Sequence, residues 1–176
     1  MILSIKVYPD PILKKKSLKV TQFDEELHTL LENMYDTMME KNGIGLAAVQ
    51  VGIVKQVLIL NLPTKEGEEE VQQKENTLEL INPIITAKSG SQTYQEGCLS
   101  VPEYYDDIER AASISLEYQD RHGNAKTLNA NELLSVAIQH EMDHLEGHLF
   151  VEKLSLLKRK KFEKEWKKKN RSRKKF

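Results

Sequence analysis

Gln139-His140-Glu141-Met142-Asp143-His144 sets two imidazoles four residues apart. On an α-helix that spacing brings both rings to one face, one turn apart, where they can grip a single metal ion. Glu141 follows the first histidine directly, so the pattern His-Glu-x-x-His adds a carboxylate able to take a proton from water that a cation has acidified. That combination is hydrolase chemistry. Its plain competitor is a buried helix carrying two histidines for packing, because short motifs recur by chance. The surrounding spacing predicts a helix over residues 131–146, with Gly147 beyond its end. Leu133, Leu134, Val136, Ala137, Ile138, Met142 and Leu145 make that helix apolar nearly all round, so it is expected to be buried. Buried histidines need partners, and a metal is a good one.

Residues 24–42 repeat apolar side chains at i, i+3, i+4 and i+7 from Leu27 to Met39 and predict the first helix. Asp24 is its expected N-cap and Gly43 its expected left-handed C-cap. The run from Gly43 to Gln50 formally matches the dinucleotide fingerprint Gly-x-Gly-x-x-Ala. A helix precedes these glycines and strand-like sequence follows them, the reverse of what a phosphate cradle needs, so no cofactor of that kind is expected. The small residues instead allow a close backbone approach, and Gln50 becomes a candidate donor into a site. Residues 56–62 and 78–87 read as strands, the second an edge or bulged one because of Pro83. Residues 64–76 are polar and without period and read as an exposed loop. Residues 113–118 and 125–128 read as an antiparallel hairpin about the turn at 120–124.

The 176 residues suit one domain with a real core, and no apolar run approaches the ~18 residues that cross a bilayer. Residues 1–17 lack the continuous apolar segment of a secretory signal, so a cytoplasmic protein without membrane contact is expected. Cys98 is the single cysteine, which excludes an internal disulfide. The net charge of −1 hides a division: residues 153–176 hold 13 Lys and Arg against Glu163 and Glu165, net +11, leaving −12 on residues 1–152. Such a basic segment, a weak amphipathic helix with an expected unstructured arm beyond residue 170, marks contact with nucleic acid or another anionic surface. The alternative is a solvated helix covering one edge of the fold.

A catalytic metal of this kind takes three protein ligands and leaves a place for water. A longer histidine motif does not supply the third, because position 150 is Phe150 and His148 is out of register. Two sources stay open on the residues alone: Glu163 or Glu165, both among lysines, and Cys98 in Glu96-Gly97-Cys98-Leu99-Ser100. In the latter the glycine and the following Leu-Ser-Val-Pro make a bend able to aim a thiolate inward.

Gly43-Ile44-Gly45-Leu46-Ala47-Ala48-Val49-Gln50, Glu96-Gly97-Cys98-Leu99-Ser100 and Gln139-His140-Glu141-Met142-Asp143-His144-Leu145-Glu146-Gly147 resemble, in order and spacing, the three motifs of the peptide deformylase family. The likeness runs over roughly residues 5–151. It implies an α+β fold with antiparallel β-sheets around a central metal-binding helix, an N-terminal helix and a basic C-terminal helix. The division it suggests is a catalytic domain over 1–152 and a basic helix and tail over 153–176. It implies removal of the formyl group from the initiator formylmethionine of nascent polypeptides, releasing formate.

The resemblance assigns one divalent metal to Cys98, His140 and His144 and general acid–base work to Glu141. It points to iron(II) as the native ion, while a sulfur with two nitrogens also suits zinc, nickel or cobalt. It offers the Gln50 amide and the Leu99 N–H as oxyanion donors. Ile44, Leu133, Val136 and Ala137 would line a methionine pocket, with Glu96 near its mouth and Gly97 among the substrate-binding residues. Gly45 would pair with substrate backbone as an added strand would. Arg110 would stand near the entrance, and Asp143, off the ligand face, would be structural. In some family members a basic C-terminal helix docks on the ribosome, which makes ribosomal RNA an expected partner here. Tyr104-Tyr105-Asp106-Asp107 departs from the family pattern.

Overall fold

The structure, a computed structural model, describes residues 1–173; the basic tail expected beyond them lies outside the described residues. Asp24 caps helix α1 (Glu25–Glu40), its carboxylate accepting the Leu27 N–H at 3.1 Å, and Leu27, Leu31, Met34 and Met38 form the buried stripe. The helix ends at Glu40, and the left-handed residue that follows falls one position before Gly43. Asn42 takes the left-handed conformation at φ 55°, which asparagine tolerates better than most residues. Gly43 answers a different need, since a Cβ there would lie 3.0 Å from Leu99 Cδ1.

Strand β1 (Gly45–Ala47) leads through a 3-10 turn at Ala48–Val51 to β2 (Val57–Leu60). Every residue of β2 is buried: Leu58 and Leu60 face one core cluster, Val57 and Ile59 the other. That explains a continuous apolar run where a one-faced strand would alternate. Residues expected as a loop instead form a short exposed hairpin, β3 (Thr64–Glu66) with β4 (Glu69–Val71), around Gly67 at φ 67°. Both its faces are solvated, so no hydrophobic period marks it. Gln72 ties it down by donating to the carbonyls of Asn61 (2.7 Å) and Gly43 (3.1 Å).

Strand β5 (Leu78–Ser89) carries Pro83 inside the sheet rather than at its edge. The register slips between Ile81 and Ile84, and Asn82 adopts φ 52°. The bulge removes the need for the proline's missing N–H, while the Asn82 side chain exchanges hydrogen bonds with Val20 N and O. Then follow β6 (Gln92–Cys98), β7 (Val101–Arg110), β8 (Ser113–Gln119), β9 (Ala125–Asn131), α2 (Glu132–Leu145) and α3 (Leu156–Arg173). The main sheet is antiparallel in the order β1-β2-β5-β8-β9, and β6 and β7 form a separate ribbon.

Helix α1 packs on one face of the main sheet and α2 on the other, which is the expected α+β arrangement. A third cluster joins β7 to α3 through Phe150, Phe162, Trp166, Tyr8 and Tyr104. Helix α3 is longer than expected, continuing past residue 170 to Arg173. Leu156 and Leu157 at its start are exposed, whereas Phe162 and Trp166 hold it to the fold.

On the α1 side, the Glu32 carboxylate accepts from Lys74 (2.6 Å) and Arg121 (3.1 Å), and these two hydrogen bonds, Lys74 first, hold its carboxyl below the usual range. A depressed carboxyl stabilises the fold above its unfolded-state pKa of about 4.3, and the contribution vanishes as pH falls through the folded value. Glu32→Gln is therefore expected to lower the melting temperature by about 1–2 °C near pH 7 and to leave it unchanged below the folded pKa, in melts recorded across pH.

Candidate metal centre

Helix α2 is seated by its polar residues as well as by its leucines. Gln139 Nε2 donates to the Ala111 carbonyl at 2.9 Å, its Oε1 accepts the Ala111 N–H at 3.2 Å, and Ser135 Oγ donates to the same carbonyl at 3.0 Å. These bonds fix the rotation of α2 against the β7–β8 connection. The face thus presented carries His140, Glu141 and His144, all buried.

Cys98, at the end of β6, completes the group. Its Sγ lies 3.4 Å from His144 Nε2, and donor atoms of Cys98, His140 and His144 all fall within 4.8 Å of one another. Among the described residues this is the one such cluster, so Cys98 and not Glu163 or Glu165 meets the histidines.

Glu96 Oε1 takes a hydrogen bond from His140 Nδ1 at 2.7 Å, which leaves His140 Nε2 to face the cluster. Burial opposes charge on His140, yet Cys98 and Glu96 beside it push its pKa well up; burial and the neighbouring His140 push His144 well down. The donor set, one sulfur and two imidazole nitrogens with a carboxylate behind one ring, fits a divalent transition metal.

Glu141 is buried, with Oε2 lacking any hydrogen-bond partner in the protein. Burial pushes its carboxyl up to about 7, Glu96 and Asp143 adding to the rise and His140 and Arg110 opposing it. Gly45 makes room for it: a Cβ there would stand 2.7 Å from Glu141 Oε1 and 2.8 Å from Leu60 Cδ2. Gln50 is buried beneath the cluster. Its Oε1 accepts the Ala47 N–H (2.9 Å), while Nε2 donates to Ser100 Oγ (3.1 Å) and points at Cys98 Sγ from 3.5 Å.

A cleft of about 840 Å³ opens over these groups. Ile44, Gly45, Gln50, Glu96, Gly97, Cys98, Leu99, Leu133, Val136, Ala137, His140 and Glu141 line it, and His144 lies fully buried beneath. Two placements differ from expectation. Arg110 does not line the cleft: it is buried behind it, forked onto Glu96 (Nε–Oε2 2.6 Å, Nη2–Oε1 2.9 Å) and donating to Asp143 at 2.7 Å. Glu96 likewise turns its carboxylate away from the mouth toward Arg110 and His140. A buried carboxylate needs such partners, and a guanidinium fork matches its two oxygens.

The cleft also takes in residues that the motifs did not mark. Ile2, Leu3, Ile5, Val7, Pro102 and Tyr105 are among its lining. The Tyr105 ring rests on Gly97, where a Cβ would stand 2.6 Å from Tyr105 Cδ1.

A family model described as polypeptide deformylase matches residues 2–160. The chain belongs to the polypeptide deformylase family. A peptide deformylase of Wolinella succinogenes is 54% identical over 97% of this chain and 99% of its own length. The crystal structure of a peptide deformylase from Legionella pneumophila superposes with a TM-score of 0.89 at 35% identity, covering 100% of this chain and 99% of that one. A peptide deformylase of Acinetobacter baumannii, crystallised with Met-Ala-Ser bound, gives a TM-score of 0.80 at 31% identity over 88% and 99% of the two chains. Deformylases are hydrolases of protein biosynthesis that act on nascent formylated polypeptides, and this chain is an enzyme of that family. Among the described residues no helix is long and apolar enough to cross a membrane.

Because Arg110 neutralises a buried carboxylate, Arg110→Ala strands Glu96 without its counter-charge. The variant is expected to lose about 3–5 kcal/mol of stability in urea unfolding, and Arg110→Lys to recover only part of it, lacking the fork.

Proposed function

We propose that the chain removes the N-formyl group from formylmethionyl polypeptides, using one divalent cation held by Cys98 Sγ, His140 and His144. The observation that carries the reading is the buried Glu141 carboxylate, one oxygen unpaired, beside a three-donor cluster at the floor of a peptide-sized cleft. A divalent cation held there supplies Lewis acidity, acidifying water and polarising a carbonyl oxygen. Iron(II) is the ion the family resemblance favours, with zinc, nickel or cobalt as substitutes.

In this reading Glu141 takes a proton from the attacking water and returns it to the departing amine nitrogen. The formyl C–N bond breaks, and formate and a free methionine amine leave. A carboxyl near 7 suits both halves of that exchange. Gln50 Nε2, aimed by the anchor of its Oε1 on Ala47, donates to the oxyanion together with the Leu99 N–H. Ile44, Leu133, Val136 and Ala137 take the methionine side chain, and the peptide runs beside Gly45 and Gly97, where no side chain obstructs its backbone. The Met-Ala-Ser bound to the Acinetobacter enzyme supports a peptide in the corresponding cleft. Glu96 and Arg110 act behind the site, holding His140 in its tautomer.

The test is formate release from formyl-Met-Ala-Ser by protein purified without oxygen, with metal content assayed alongside. Activity is expected to follow bound metal, and Glu141→Ala to lose about 10²- to 10⁴-fold while retaining its metal. No formate from fully metallated parent protein would overturn the reading.

We further propose that residues 1–152 carry the chemistry in the cytoplasm and that residues 153–176 carry a contact with the ribosome. Helix α3 exposes Lys158, Arg159, Lys160, Lys161, Lys164 and Lys167 while Phe162 and Trp166 anchor it. Phosphate contacts by such a helix weaken steeply with salt. Co-sedimentation with ribosomes is expected at low salt, to fall as salt rises, and to drop on deleting residues 167–176; binding indifferent to both would count against the contact.

A further inference from the structure

His140 is bounded on three sides. Glu96 takes its Nδ1 hydrogen bond, His144 meets it nearly edge-on at 5.2 Å, and the Phe150 ring lies against its face with centroids 5.9 Å apart and planes 29° apart. Tyr104, whose region departs from the family pattern, continues the column: its ring stands 6.1 Å from Phe150 at 31°. The outer ring is itself secured, by Phe162 of α3 at 4.6 Å and by a 3.3 Å hydrogen bond from its hydroxyl to Asp106 Oδ2, while Lys158 of α3 donates to Asp106 Oδ1 at 3.0 Å. Neither Phe150 nor Tyr104 lines the cleft.

We propose that Phe150, backed by Tyr104, is a positioning residue that sets the plane of the His140 imidazole as a metal ligand. The hydrogen bond at Nδ1 resists rotation about Cβ–Cγ only as stiffly as one 2.7 Å contact allows, so the ring keeps some torsional tilt. A flat, buried neighbour against the face removes the tilt and aims Nε2. Phe150, 1% exposed, also keeps that face dry. An imidazole that shares its lone pair with a cation is electron-poor, and the electron-rich face of a benzene ring favours it. The column therefore favours the metal-loaded ligand in orientation and in charge. This inference rests on the metal reading above.

The experiment loads metal-free parent, Phe150→Leu, Tyr104→Leu and Tyr104→Phe with Co2+, records the cobalt d–d absorption, and times release of the ion to excess chelator. Urea unfolding of each metal-free form is measured alongside. Phe150→Leu keeps apolar bulk and loses the ring; it is expected to release Co2+ roughly tenfold faster, within the range seen when groups behind a ligand are removed, with shifted d–d bands. Tyr104→Leu is expected to show a few-fold acceleration, and Tyr104→Phe, which keeps the ring, the parent rate. Parent-like release and bands in Phe150→Leu, whatever its stability, would overturn the proposal and leave the rings as packing. Should Phe150→Leu fail to fold, a parent rate in Tyr104→Leu would overturn it. A parent protein that takes up no Co2+ would overturn the metal reading, and the inference with it.

Discussion

A carboxylate taken out of water governs this architecture. Glu96 lies 6% exposed between the Arg110 fork and the His140 imidazole, and burial pushes its carboxyl up. Its partners win: their hydrogen bonds and charges hold its carboxyl below the usual range against desolvation. Those partners come from different elements, Glu96 from β6, Arg110 from β7 and His140 from α2. Satisfying one buried charge therefore clamps the ribbon that carries Cys98 to the helix that carries the histidines. Misplacing any of the three would leave a charge without compensation, so the arrangement selects one geometry rather than a family of similar ones.

Around that clamp the packing is two-sided. Strand β2, buried on both faces, transmits the position of α1 to that of α2, and β1 beside it brings Gly45 against Glu141. The cleft opens where β1 and the β6–β7 ribbon face each other with α2 as floor, so its walls belong to separate sheets. Aromatic packing extends the same body to α3 through Tyr8, Phe162 and Trp166.

What could be read from the residues was what chemistry fixes locally. Two histidines at helical spacing, a capping aspartate at residue 24 and the apolar run of β2 each have one economical explanation, and each stands where expected. Strand β7 was not legible because its inward positions include Asp106 and Arg110, polar residues paired across space, so no apolar alternation announces it. The family resemblance set Arg110 near the entrance, and nothing in its neighbouring residues pointed to a buried carboxylate instead. Its buried partner, Glu96, is 14 residues away in sequence and adjacent only in the folded ribbon. The β3–β4 hairpin escaped because strands solvated on both faces need no hydrophobic code, and Asn42 stood in for the glycine one position later. The motif helix, its paired histidines and the α1 cap follow from local pattern; the place of Cys98 came with the family resemblance, and the groups behind it follow from tertiary pairing.

The collision that a Cβ on Gly45 would make with the Glu141 carboxylate couples two positions that are 96 residues apart in sequence. In terms of descent the two positions are coupled: a side chain at residue 45 is admitted only where the carboxylate at residue 141 and the Leu60 methyl move aside. A lineage that abandoned the chemistry and shortened residue 141 would be released from the constraint, with only a Leu60 methyl left to give way. Glycine at 45 is thus what leaves that carboxylate its place against β1.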